Sequence, residues 1–178
     1  MTDALLIIDV QQGLCEGPYA VYDARAVIVR INTVSVKARA AGVPVVFVQH
    51  EAATQLQYGS PAWQLADGLC VQGCDLFVRK TTPDSFLRTD LIELLNARKI
   101  TRLTICGMQS DFCVDTTARR AMALGYPVVL VSDAHTTEAN AHLSARQIIQ
   151  HHNDTLPRME SFGARTRTVP SNQVSFLD

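Results

Sequence analysis

Five short apolar runs rich in β-branched residues are spread along the 178-residue chain, with room for a helix between successive runs. Their apolarity is continuous and does not alternate, which is typical of strands buried on both faces of a parallel sheet. Strands that alternate with helices form βαβ units, so the pattern predicts an α/β fold. The runs cover residues 4–8, 43–48, 75–78, 103–106 and 127–131, and a weaker sixth lies at 167–169.

Helical periodicity fills several of the intervals between these runs. The clearest helix has Asp23 as its candidate N-cap, and Gly42 closes it. Residues 49–74 show no periodicity, which is typical of a functional loop or lid. No repeat or linker interrupts the chain, so we expect one domain over residues 1–178. Further helices are predicted to begin at Thr89 or Asp90, at Ser110 or Asp111 with an end at Gly125, and near Ala139 with an end near His152.

Charge and hydropathy exclude several classes of partner. Sixteen basic and 17 acidic residues leave no positive excess, which disfavours binding to nucleic acid or to an anionic membrane surface. No apolar run approaches the roughly 20 residues of a membrane-spanning helix, and no basic segment precedes residues 4–8 as in a secretory signal. The five scattered cysteines suit a reducing compartment. We therefore expect a cytoplasmic protein whose partner is a small molecule.

Three chemically active side chains follow three of the predicted strands. Asp9 follows the first strand, Lys80 follows the third, and Cys113 lies shortly after the fourth, where a helix should begin. Because ligands of open parallel sheets bind at the carboxyl ends of the strands, these side chains are predicted to share one edge. Taken singly, each has an ordinary structural explanation: a turn residue, a solvated lysine and a small buried side chain. Together they form a candidate nucleophilic site.

The chemistry of these residue types fits nucleophilic catalysis. A helix N-terminus and a nearby lysine both favour the thiolate of a cysteine such as Cys113. Asp9 can accept the thiol proton and return it to a leaving amine. Lys80 can keep Asp9 ionised and offset the repulsion between carboxylate and thiolate. Backbone N–H groups of residues 107–113 can bind a developing oxyanion.

Several linked motifs follow one another in order over about residues 4–155. They are Leu5-Leu6-Ile7-Ile8-Asp9-Val10-Gln11-Gln12, Arg79-Lys80 with Ser85-Phe86 and Thr89-Asp90-Leu91, Gly107-Met108-Gln109-Ser110-Asp111-Phe112-Cys113-Val114 with Thr117-Ala118-Arg119, and Val131-Ser132-Asp133-Ala134. In these motifs the chain resembles the isochorismatase-like cysteine hydrolases.

This resemblance implies a single-domain, three-layer α/β/α fold with a mostly parallel six-stranded sheet. It implies an Asp, Lys, Cys triad at Asp9, Lys80 and Cys113, and a non-proline cis peptide between Met108 and Gln109. The N–H groups of Gln109 and Cys113 would form the oxyanion hole. Relatives are commonly oligomeric, so we expect a homo-oligomer, either a dimer or a tetramer.

Family members hydrolyse amide or carbamoyl C–N bonds through a thioester, or a vinyl ether without needing the cysteine. The presence of Cys113 favours the amidase reaction over the isochorismatase reaction. Nicotinamidases carry an Asp-x-His metal motif after the second strand, whereas this chain has Gln49-His50-Glu51. We therefore expect neither a metal nor another cofactor, and His50 or Glu51 could instead line the pocket. A different alternative is a thiol redox or sensor protein that uses Cys113.

Several further residues are candidates for substrate contact. Gln12, Trp63 and Phe86 are predicted to bind substrate, and Tyr58, Tyr19, Tyr22 and Phe112 could line the pocket or a subunit interface. Cys70 and Cys74 are expected to be partly buried loop residues, because no second pair completes a zinc site. Cys106 is expected in the core, and Cys15 as pocket wall or filler. Helix-surface or interface positions are expected for His135, His142, His151 and His152.

Overall fold

Six strands form one sheet in the computed structural model, which describes residues 2–18 and 20–176. All neighbouring strands are parallel, in the order β3-β2-β1-β4-β5-β6. The α/β fold with a six-stranded sheet is thus confirmed, and the sheet is parallel throughout. The strands are β1 (Asp3–Ile8), β2 (Val45–His50), β3 (Leu76–Lys80), β4 (Arg102–Met108), β5 (Val128–Thr136) and β6 (Thr166–Val169).

Helices cover both faces of this sheet. Asp23 directly precedes α2, as expected, but it has a left-handed φ of 54° and its side chain makes no capping bond. The last helix begins six residues later than predicted, at Ala145, because a capping box of Ser144 and Gln147 starts it there. The helices are α1 (Gln12–Cys15), α2 (Ala24–Ala40), α3 (Leu91–Ala97), α4 (Asp115–Ala123) and α5 (Ala145–Thr155), and a π-helical turn, Ser110–Val114, precedes α4.

Two apolar cores lie on the two faces of the sheet. On β1, Leu6 and Ile8 face one core together with side chains of α3 and α4, whereas Leu5 and Ile7 face the other with α2. Both faces of β1 are therefore buried, as its continuous apolar sequence predicts. Of the helices that the structure describes, none is long and apolar enough to cross a lipid bilayer.

The strand order brings the ends of β1 and β4 together. From β1 the chain extends to β2 and β3 on one side of the sheet, and to β4, β5 and β6 on the other. A crevice forms at such a switch point, outside the carboxyl ends of the strands. The β4–β5 pairing shifts after Ile105, so that Gly107 pairs with His135 and Met108 with Thr136. Because all neighbouring strands are parallel, the end of β5 lies at the same edge as the ends of β1, β2 and β3.

Candidate active site

The ammonium group of Lys80 is the centre of a buried polar cluster. Its Nζ lies 2.7 Å from Oδ2 of Asp9, 3.1 Å from Sγ of Cys113 and 3.1 Å from Nδ1 of His50. It also donates to the carbonyl of Thr82 over 3.1 Å. The side chains of Lys80 and Asp9 are almost fully buried, so solvent screens their ion pair little. The structure thus brings together the three side chains predicted at the strand ends.

Asp9 presents one of its carboxylate oxygens without a partner. Oδ2 accepts from Lys80, whereas Oδ1 is buried and has no hydrogen-bond partner among the residues that the structure describes. A carboxylate oxygen of Asp9 and the thiol of Cys113 lie within 4.8 Å of each other. Asp9 has a left-handed φ of 51°, which turns the chain directly after β1. The carboxylate of Asp9 therefore lies close enough to the thiol to accept its proton.

The surroundings of Cys113 favour its neutral thiol over the thiolate. Burial, followed by the charge of Asp9, raises its pKa to about 12, although Lys80 acts in the opposite direction. Desolvation and the carboxylate of Asp9 thus outweigh the effect of Lys80, which was expected to favour the thiolate. Cys113 also lies inside the π-helical turn rather than at the start of α4. A reaction at this sulfur requires a base to take its proton.

His50 faces the same cluster as a neutral imidazole. Burial and the charge of Lys80 lower its pKa, despite opposing contributions that include Asp9. Because Nδ1 lies against the ammonium of Lys80, it acts as an acceptor and Nε2 carries the proton. The backbone of His50 is held by Gln11, whose side chain accepts from His50 N and donates to His50 O. His50 is one of the predicted pocket residues, whereas no signal in the sequence pointed to the supporting role of Gln11.

Three potential metal ligands surround the lysine. One donor atom from each of Asp9, His50 and Cys113 lies within 4.8 Å of the other two. The Lys80 ammonium, however, already contacts all three side chains at 2.7 to 3.1 Å. A divalent ion among these atoms would meet that positive charge at close range. The three side chains are therefore arranged around the ammonium of Lys80, and this arrangement does not suit a metal ion.

A cavity of about 220 Å³ opens onto this cluster. Its volume lies below the roughly 300 to 1,000 Å³ of sites for drug-sized ligands. Five of the residues that line it are apolar. Most of these five come from segments in which the sequence shows no motif. The lining residues are Asp9, Leu14, His50, Ala52, Gln55, Leu56, Pro83, Gln109, Phe112 and Cys113.

The three residues predicted to bind substrate lie outside this cavity. Gln11 turns inward after β1 and bonds to His50. Gln12, the first residue of α1, therefore points outward, where its side chain bonds to Asp67. Trp63 packs edge-on against Tyr58. Phe86 is a core residue stacked on Tyr126, since the loop after β3 folds its ring beneath the surface. None of the three lines the cavity.

Other predicted placements divide between correct and wrong. Cys106 is buried in the core as expected, whereas Cys70 and Cys74 are exposed. Glu51 pairs with Arg79 instead of lining the cavity. Of the remaining aromatic candidates, Phe112 lines it, Tyr58 and Tyr22 do not, and Tyr19 lies outside the described residues. Cys15 contacts the sulfur of Met108 next to the core, at 3.6 Å.

The segment after β4 carries both predicted oxyanion donors. The peptide bond between Met108 and Gln109 is cis. Gln109 accepts from Val114 N over 3.1 Å, a spacing of five residues that defines the π-helical turn. Gln109 and Cys113, at the two ends of this segment, line the cavity.

His135 is buried on β5 behind this segment, so its predicted surface position is wrong. It is 1% exposed and contacts Ser110, which is 0% exposed. Ser110 Oγ lies 2.7 Å from His135 Nδ1, and His135 Nε2 lies 3.1 Å from Oδ1 of Asn153. Asn153 Nδ2 in turn donates to the carbonyl of Ser132 over 2.9 Å. We call these four residues the Ser110 network. The register shift of β5 pairs His135 with Gly107, which lies next to this segment.

The buried His135 predicts a loss of stability in acid. Burial lowers its pKa from 6.5 to about 4; His152 lowers it further, while Asn153 and Asp133 oppose the shift. Between these pH values the unfolded chain binds a proton that the folded protein excludes, so stability falls as pH falls. From pH 6.5 to 4.5 this residue should cost about 2 kcal/mol of unfolding free energy. Urea unfolding of the wild type and of His135→Gln measures it, and equal pH slopes would contradict the assignment.

Comparisons with known proteins agree on one family. A sequence model of the isochorismatase domain matches residues 3–167. A streptothricin hydrolase of Streptomyces noursei is 40% identical over 136 residues, which are 75% of this chain and 49% of that protein. A ureidoacrylate amidohydrolase of Pseudomonas savastanoi is 30% identical over 172 residues, covering 74% of this chain and 69% of that protein.

The fold comparison agrees with the sequence comparison. The crystal structure of an isochorismatase family protein superposes with a TM-score of 0.86 at 39% identity, covering 94% of this chain and 97% of that chain. This chain spans about half the length of the two streptothricin hydrolases that it matches.

Proposed function

This chain belongs to the isochorismatase family, and we propose that it is a cysteine amidohydrolase. It cleaves the C–N bond of a small amide or carbamoyl compound through a thioester on Cys113, without a metal. The observation that carries the proposal is the buried carboxylate of Asp9 within 4.8 Å of the Cys113 thiol, with the ammonium of Lys80 bound to both groups. Relatives named as a hydrolase and an amidohydrolase support the reaction class.

Acylation begins with the transfer of the Cys113 proton to Asp9 Oδ1. The sulfur then forms a bond to the substrate carbonyl carbon, and the carbonyl electrons move onto its oxygen. The N–H groups of Gln109 and Cys113 bind this oxyanion. When the carbonyl re-forms, the C–N bond breaks and Asp9 returns the proton to the leaving nitrogen. The products of this step are ammonia or an amine and a thioester.

Deacylation uses the same carboxylate. Asp9 takes a proton from water, and the hydroxide oxygen bonds to the thioester carbon. The C–S bond then breaks, the acid leaves, and the proton on Asp9 returns to the sulfur of Cys113. Lys80 stays bound to Asp9 Oδ2 and offsets the negative charge that moves between oxygen and sulfur.

The cavity favours a small, uncharged acyl group. Leu14, Leu56 and Phe112 are among its apolar walls. A substrate carboxylate held among these walls would lose its hydration. The homo-oligomeric state and the cytoplasmic location stay predictions.

An ammonia-release assay with matched amides tests the proposal. Pentanamide and glutaramate have the same number of carbons and differ by a terminal carboxylate. We expect kcat/KM to be at least about tenfold higher for pentanamide, equivalent to roughly 1.4 kcal/mol, because glutaramate brings an unpaired charge into the cavity. Equal or higher values for glutaramate would contradict the substrate class. If a broader panel of small amides and carbamoyl compounds also yields no ammonia, the amidase function itself is contradicted.

The two alternatives predict different results with Cys113. A vinyl ether hydrolase of the isochorismatase type keeps its activity without the thiol. A redox sensor forms a stable disulfide after dilute peroxide, which mass spectrometry of the tryptic peptides detects. The amidase requires the thiol and forms no such disulfide.

A further inference from the structure

We propose that Ser110, held by His135 and Asn153, is a positioning residue for the oxyanion hole. The inference rests on the proposed amidase function and goes beyond it. Three consecutive residues of the segment after β4 are each hydrogen-bonded to the end of β5 or to the residues that follow it. Gln109 Nε2 donates to Glu138 over 3.0 Å, Ser110 contacts His135 at 2.7 Å, and Thr137 Oγ1 donates to Asp111 over 2.5 Å.

The hydrogen-bond directions in the Ser110 network follow from its far end. Because Asn153 Nδ2 donates to Ser132 O, its Oδ1 faces His135 and can only accept. His135 Nε2 therefore carries the proton, and its Nδ1 has a lone pair. The hydroxyl of Ser110 must then donate to Nδ1. Every proton along this path is assigned, and the orientation of Ser110 is fixed by β5 and α5.

The order Ser110, His135, Asn153 resembles the connectivity of a nucleophilic triad, but its position excludes that role. Ser110 is fully buried and does not line the cavity, whereas Cys113 does. Ser110 lies between Gln109 and Cys113, whose N–H groups the mechanism uses. Fixing Ser110 therefore fixes the direction of both donors before substrate arrives, and preorganised donors are the ones that stabilise a transition state.

Two reactions of the same sulfur separate positioning from simple structural support. Amide hydrolysis develops an oxyanion, whereas alkylation by iodoacetamide displaces iodide at carbon and develops none. For Ser110→Ala we expect kcat for pentanamide to fall about 10- to 100-fold with KM nearly unchanged, since donor alignment is lost. Its rate of Cys113 alkylation should stay within about twofold of wild type. Ser110→Thr, which keeps the hydroxyl, should recover most of kcat.

Two further variants complete the test. Asn153→Leu removes the far end of the network and should lower kcat in the same direction. Ser35→Ala is the matched control: Ser35 is also buried and hydrogen-bonded, but it lies on α2, and its kcat should not change. Urea unfolding verifies that each variant is folded before assay.

Four outcomes decide between the explanations. Parallel losses of hydrolysis and alkylation would show that the network only holds the sulfur, and would overturn the proposal. An unchanged kcat in Ser110→Ala would overturn it as well, while leaving the amidase function intact. A wild type that hydrolyses no amide would instead overturn the proposed function, and the positioning role with it. A loss of kcat in Ser110→Ala without a loss of alkylation rate, recovered in Ser110→Thr, supports both the amidase function and the positioning role of Ser110.

Discussion

Replacing Cys113 with alanine is expected to lower amide turnover by at least about 10⁴-fold while the protein stays folded. The expected loss is large because, among the described residues that line the cavity, Cys113 alone carries a thiol that can form the thioester. The ion pair of Lys80 and Asp9 does not require the thiol, so the unfolding free energy should change by only about 1 to 2 kcal/mol. Ammonia release and urea unfolding measure the two quantities.

The exposed Cys70 offers a matched control for this substitution. Cys70→Ala removes the same chemical group from a position remote from the cavity and should keep wild-type turnover. In the wild type, quenching during turnover should leave the acyl group on Cys113, detected as a mass increase on its peptide. Full activity of Cys113→Ala would rule out the thioester mechanism and favour the vinyl ether alternative.

Replacing Gly107 with alanine should destabilise the protein by more than about 4 kcal/mol or prevent folding, an effect in the range of severe backbone clashes. A Cβ at this position would lie 2.1 Å from the carbonyl oxygen of Ile8 and 2.6 Å from its nitrogen, all rigid backbone of the paired strand β1. Gly107 also has φ of 120°, which L side chains rarely adopt. Relief of the clash would move β4 away from Ile8 and hence from Asp9.

Two other glycines separate the contributions of conformation and contact. Gly125 has a φ of 90°, and no atom would lie within 4 Å of a Cβ added there. Gly125→Ala should therefore lower the unfolding free energy by about 1 to 2 kcal/mol from backbone conformation alone. Gly73 has open space and no positive φ, so Gly73→Ala should stay within about 0.5 kcal/mol of wild type. Urea unfolding should rank the three costs as Gly107 above Gly125 above Gly73. A Gly107→Ala protein as stable as Gly125→Ala would show that the strands separate easily.

Local sequence patterns were sufficient for the strands but less so for the last helix. Strand positions follow from runs such as residues 4–8, because burial on both faces requires continuous apolarity. The start of α5 was misplaced because its capping box at Ser144 decides it, and apolar periodicity does not show where a cap lies. After β1, the predicted substrate contact Gln12 lies on the outside, and the side chain that turns inward is that of Gln11, one residue earlier. The left-handed turn at Asp9 makes that direction a property of the folded backbone.

The sequence by itself determined the parallel sheet and the shared edge at which Asp9, Lys80 and Cys113 lie, because carboxyl ends of parallel strands meet on one side. The tertiary structure decided the desolvation that raises the pKa of Cys113, the burial of His135 and the apolar walls of the cavity. Desolvation, register shifts and loop packing depend on groups distant in sequence. No periodicity within one segment of chain encodes them.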